Sequence, residues 1–303
     1  MTVSLQDLPV ELIERIHVDL DPVDVAAVAQ CCRLTRSIVY EQSDQFFWKS
    51  LFLAQLYDDP RKCTSLDGEP YFSDNFSWES ELKQRIRART VVKDATRVRA
   101  EERLSILKTL ISMVVHTPPA SPAYNSSEIS RNLISMATVL RQPSFFDLFA
   151  KEAVHVDEPL LLAQLHTYHG SSPKDFESTE QAKSRAEVYD LRNYNDSNDW
   201  GPFIPGSGGA INWLRIRAIQ NVMSSHVVSH DPETGQIPII SPLSLPFCQT
   251  QIHPPSDESL QSGINDWAGV EGFWQCSFCF CDHRDLIGEL GCRIIKWFLT
   301  RYG

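Results

Sequence analysis

Four soft donors stand within eight residues late in the chain: Cys276, Cys279, Cys281 and His283, in CSFCFCDH. Thiolate sulfur and imidazole nitrogen are the ligands zinc takes in tetrahedral sites, often as two pairs separated by a loop. Here the second pair is missing. Phe278 and Phe280 alternate with Cys279, Cys281 and His283, as on a half-buried strand. On such a strand the three donors spread over about 13 Å, too far for one ion without a bend. Structural cysteines are therefore expected, and a zinc-stabilised binding domain around Cys276–His283 is the alternative. The glycines of PGSGGA, residues 205–210, invite a phosphate-loop reading. The lysine and Ser/Thr of that loop are absent and the dinucleotide spacing does not fit, so a turn is expected. His155, His166, His169, His226 and His230 are scattered; His166 and His169 lie three apart with no third ligand nearby. No nucleophile elbow and no HExxH pattern occurs.

The elements that must position side chains divide the sequence. In LPVELIERIHVDLDPVD, residues 8–24, Leu8, Leu12, Ile16 and Leu20 recur every fourth residue, the stripe of an amphipathic helix. Pro9 suits a first helical position, and Glu11 suits the positive end of the helix dipole. Asp21, Pro22 and Asp24 are N-cap, N1 and N3 of a second helix, with Val25, Val28, Ala29 and Cys32 on one face. A third helix starts at Ser43 and Asp44, before Phe46, Phe47, Trp48, Leu51 and Phe52. Three short helices are too little to bury a full core alone. The stretch must dock on the rest of the chain or keep an apolar surface for a partner.

Residues 61–77 read as a connector rich in turn formers. A long helical pattern runs from Trp78 to about Val115, and its first part, from Leu82 to Lys108, holds nine Lys/Arg against three acids. Such a run is expected as a solvated face paired with acids, because residues 1–60 carry ten Asp/Glu against four Lys/Arg. Further helices are expected at about 128–141, 160–169, 179–191 and 211–224, with the apolar SFFDLFA from Ser144 between the first two. From Asn193 on, Gly, Pro, Ser and Trp dominate, and GQIPIISPLSLPF and GFWQCSFCFCD read as strands. Trp200, Trp213, Trp267 and Trp274 fill a small β-rich core or, in part, a recognition surface. The fold class expected is α+β, mostly α: a three-helix unit at 1–60, the connector, a helical region at 78–192, and a smaller β-rich α+β region at 193–303. The run GCRIIKWFLTRYG stops soon after the last strand pattern, so the C-terminal module is expected to be incomplete.

A formal net charge of −11 argues against general nucleic-acid binding, since no positive field releases counterions. No apolar stretch is long enough for a transmembrane helix, and the acidic start does not fit a signal peptide. The eight cysteines are therefore read as reduced thiols in the cytoplasm or nucleus.

Taken in register, Leu8, Pro9, Glu11, Leu12, Ile16, Leu20, Asp21, Pro22, Asp24, Ala29, Cys32, Arg33, Asp44 and Trp48 resemble the F-box. A tryptophan usual in that family shortly after Cys32-Arg33 is replaced by Thr35, Arg36 and Ser37, which is expected to loosen packing around Cys32. The segments from Asn198 and from Asp266 look like parts of a fungal F-box family with a tryptophan-rich C-terminal region. The resemblance implies a non-enzymatic substrate adaptor of an SCF (Skp–cullin–F-box) ubiquitin ligase, without a cofactor. Leu8, Pro9, Leu12, Ile16, Leu20, Pro22, Val25, Val28, Cys32 and Trp48 would bind the Skp-type adaptor, and through it a cullin, while residues 193–303 would serve as the substrate-recognition module for a protein target. A scaffold acting outside any ligase is the second alternative. Neither nucleic acid nor membrane is expected as a partner.

Overall fold

The computed structural model describes residues 7–41, 45–120, 129–140, 144–151, 153–227, 245, 248 and 249. Local chemistry sets the first helices. α1 (Val10–Val18) starts at Pro9, whose carbonyl accepts from the Leu12 and Ile13 amides at 3.0 and 3.2 Å. α2 (Pro22–Val28) is capped by the Asp21 carboxylate, which accepts from the Val23 amide at 2.9 Å. Where the pattern leads to expect one helix through Cys32, the chain turns at Ala29–Cys31 and begins α3 (Arg33–Tyr40) with Cys32 as its cap. The Thr35 hydroxyl donates to Val28 O at 2.9 Å, so the place of the missing tryptophan is closed by a buried hydroxyl tied to the end of α2. α4 (Phe46–Ala54) follows, making four α-helices among the described residues of 1–60 where three were expected.

The long pattern after Trp78 is also divided. α5 (Trp78–Lys93), capped by Ser77, stops at Asp94, whose side chain accepts from the Thr96 amide and starts a single 3-10 turn. A second such turn, in which the Arg99 amide donates to Glu102 at 2.8 Å, leads into α6 (Arg103–Val115). Two side-chain caps outbid helical continuation where periodicity alone saw none. α7 (Arg131–Val139), α8 (Ser144–Lys151) and α9 (Glu158–His169) complete the first of two compact units, which meet in sequence at Gly170–Ser171.

The first unit has one continuous core. Val25, Phe47, Leu51 and Phe52 from the N-terminal helices join Trp78, Leu82, Leu107, Val114, Met136, Phe145 and Leu165. Each such side chain withdrawn from water contributes about 1.5–3 kcal/mol. A buried polar network runs through this core. Asp58 accepts from the Ser130 hydroxyl and from the Arg131 and Asn132 amides. Asn132 Oδ1 accepts from the Asp58 amide and from Arg85 at 3.0 and 2.9 Å. Arg85 lies 5.0 Å from the ring centres of both Phe52 and Tyr57. Buried donors and acceptors must be paired, so this network fixes α5 and α7 against residues 57–58.

The second unit, as described, is helical: α10 (Ser178–Tyr189) packs on α11 (Trp213–Val227), and short 3-10 turns and a loop join them. This overturns the expected β-rich region. Among the described residues there is no sheet, only the isolated bridges Thr64–Pro70, Thr64–Thr117 and Phe203–Ile211. The glycines of residues 205–210 form the expected turn, with Gly206, Gly208 and Gly209 at φ of 70°, 70° and 100°, where a Cβ is strained. The two segments read as strands lie outside the described residues, apart from Leu245, which is buried in the first unit's core.

Candidate functional site

Two apolar faces share α1. Ile13 and His17, each 1% exposed, and Val18 point into the core, with His17 edge-on to Phe47 at 6.3 Å. Leu12 is 52% exposed and Ile16 41%, so the stripe seen in the sequence faces outward. A nine-residue helix apolar on both sides is not what solubility alone selects. Val23 on the first turn of α2 is exposed as well, and so is Val10 at the start of α1, on the side of Ile13 and His17.

The structure sorts the other expected contact residues. Pro9 is exposed, and Leu8, Leu20, Val28 and Cys32 are half-buried. Pro22, Val25 and Trp48 are buried in the chain's own packing; Trp48 lies between Tyr40 and Phe47, with ring centres 5.8 and 5.7 Å away. The exposed Val23 was not singled out, because the face read for the second helix ran through Val25, Val28, Ala29 and Cys32. The inward stripe of α1 was present in Ile13 and His17, spaced by four.

The corner between α1 and α2 is held from outside. Asp21 accepts two hydrogen bonds from Arg89 of α5, at 2.7 and 2.8 Å. Burial acts to raise the Asp21 carboxyl, but the Val23 amide and the Arg89 guanidinium together hold it below its ordinary value. A cleft of about 390 Å³ opens beside this pair, lined by Asp21, Val23, Arg89, Thr90, Lys93, Asp94 and Arg97. Burial lowers the His17 imidazole, opposed by Glu14, so the ring stays neutral beneath the exposed face.

Other candidates resolve into structure. Among the described residues Arg85, Arg87, Arg89, Arg97 and Arg103 of the basic run pair with Glu81, Glu102, Asp21, Asp94 and Glu158. His166 stacks on Phe146 at 4.2 Å, and His169 lies against the same ring at 5.5 Å. His155 is half-buried; the His226 side chain and His230 lie outside the described residues. Burial pushes the Cys63 thiol up to about 12 and that of Cys248 up to about 11, so neither is a nucleophile at neutral pH. The group Cys276, Cys279, Cys281 and His283 also lies outside the described residues, as do Trp267 and Trp274. Trp213 is half-buried, whereas Trp200 is 64% exposed.

A capped helical corner with a second apolar face turned to solvent is the geometry of a docking module, and residues 5–44 match the family model of the F-box domain. The chain carries an F-box domain. No curated protein and no solved structure matches the chain. The matched residues hold α1, α2 and α3 and end before α4, so Trp48 belongs to the helix that seats the F-box on the rest of the first unit. F-box domains bind Skp-type adaptors, which supports that class of partner here.

Proposed function

We propose that this chain is a substrate-recognition adaptor of an SCF ubiquitin ligase, acting in the cytoplasm or nucleus. The F-box docks on the Skp-type adaptor and through it on a cullin, and the chain beyond the F-box captures a protein target. The observation that carries this reading is the exposed Leu12–Ile16 face on a helix whose opposite face is committed to the core. Covering such side chains is worth about 1.5–3 kcal/mol each, and a few anchors at the centre of an interface carry most of its affinity. Pro9 and Val23 extend that contact, and Leu8, Leu20, Val28 and Cys32 border it. Pro22, Val25 and Trp48 act indirectly, by holding the helices that present it.

The chain performs no bond chemistry in this reading. Its contribution is effective concentration, holding a target beside the ubiquitin-charged partner enzyme. Co-purification tests the assembly. Tagged full-length chain should retain the Skp-type adaptor and a cullin, and the Leu12→Asp/Ile16→Asp variant should lose both. Retention of the adaptor without any cullin would instead favour the scaffold outside a ligase.

A further inference from the structure

We propose that Trp200 anchors a docking surface on the second unit that receives a protein segment presenting an arginine or lysine side chain. The proposal rests on the reading that the chain beyond the F-box captures a protein, and it names where and by what chemistry.

Trp200 is held out rather than left out. Asp199 and Trp200 are consecutive non-glycine residues at φ of 52° and 58°, in the left-handed region that side chains with a Cβ rarely adopt. Buried polar groups enforce this turn. Asn198, 3% exposed, accepts from the Asn195 amide at 3.1 Å and donates to Asn193 O at 2.7 Å. Arg215, 8% exposed, donates to Asn193 O at 2.8 Å and to Gly201 O at 3.4 Å, tying the loop to the start of α11. The indole N–H of Trp200 donates to Asp196 Oδ1 at 2.8 Å, which fixes the ring while 64% of the residue stays in water. A large apolar ring locked in the open has lost its rotamer freedom before any partner arrives, and that pre-organisation favours binding.

The surroundings select the partner's chemistry. Asp196, which accepts from the indole N–H, and Asp199, the residue before Trp200, are exposed, and Ile211 and Leu214, 40% and 52% exposed, flank the start of α11. An exposed indole with a carboxylate at its edge favours a cation, and the exposed aliphatic side chains of the same unit favour apolar neighbours of that cation. An anionic segment would meet repulsion instead.

The test uses the full chain, isotope-labelled at its seven tryptophan indoles, with the Trp200 signal assigned by Trp200→Phe. The probes are acetyl-Leu-Arg-Leu-amide and its citrulline counterpart. The arginine peptide should shift the Trp200 signal saturably, and the citrulline peptide should bind roughly two- to fivefold more weakly. Asp196→Asn should weaken the arginine peptide while leaving the other indole signals in place. An unmoved Trp200 signal, or equal affinity for both peptides, would overturn the proposal. The same titration on the Leu12→Asp/Ile16→Asp variant keeps the two readings apart. The variant should keep the Trp200 response while losing the adaptor, and a parent chain with an intact Trp200 response that binds no adaptor would sink the F-box reading alone.

Discussion

Leu12 and Ile13 are neighbours in sequence with opposite duties, and substitution separates them. Ile13→Ala empties a position that is 1% exposed, and should cost about 2–5 kcal/mol in urea unfolding. Leu12→Ala, at 52% exposure, should stay within about 0.5 kcal/mol of the parent. Equal losses at the two positions would mean that Leu12 is part of the core. Protonation acts on the same helix. Burial holds the folded-state pKa of His17, and of the half-buried His116 stacked on Tyr71, below the ordinary 6.5. Between the folded value and 6.5 the unfolded chain binds more protons, so stability rises with pH across that window. The contribution is fully present above 6.5 and is lost as pH falls below it. Urea midpoints measured from neutral to mildly acidic pH should decline, and His17→Phe should flatten part of the decline. A midpoint independent of pH would contradict this.

At the scale of elements, Asp21 does two jobs, capping α2 and receiving Arg89 from α5. Asp21→Ala should therefore cost about 1 kcal/mol through the lost cap. Arg89→Ala should cost less than about 1 kcal/mol, because the pair is partly open to water. Both changes loosen the corner that sets α1 against α2, so adaptor affinity should fall more for Asp21→Ala than for Arg89→Ala, as titration calorimetry would show. The helix starts at Pro9 and Asp21 were legible in the sequence because caps are local chemistry. The break after Lys93 was not, since it depends on Asp94 and Glu102 closing 3-10 turns across an otherwise helical pattern. α3 was missed for a related reason: Cys32 was assigned to a helix face, whereas its sulfur caps the next helix. The outward direction of the Leu12–Ile16 stripe could be posed as a question from spacing, but answering it required seeing that Ile13 and His17 fill the other side.

For the whole molecule, the N-terminal helices are one wall of the first unit's core. Phe52 packs edge-on to Trp78 at 5.4 Å, and Arg85 bridges Phe52 and Tyr57 to Asn132. A fragment of residues 1–60 should thus lack a cooperative thermal transition, whereas the full chain should show one by circular dichroism. A sharp melt of the fragment would contradict the shared core. Arg103 and Glu158, 2% and 3% exposed, hold α6 to α9 at 2.7 Å. Arg103→Leu, which leaves the carboxylate buried and unpaired, should cost about 3–5 kcal/mol. Composition misled most in the second unit, where Gly, Pro, Ser and Trp content was read as a β-rich region, whereas the described residues form a helical hairpin and a fixed turn that shows Trp200 to solvent.

Calorimetric titration of the purified full chain with the Skp-type adaptor decides whether the exposed face of α1 is an adaptor-docking surface. Sub-micromolar binding is expected for the parent, and none detectable for Leu12→Asp/Ile16→Asp at an unchanged melting temperature. Equal binding by both chains, or no binding by the folded parent, would contradict it.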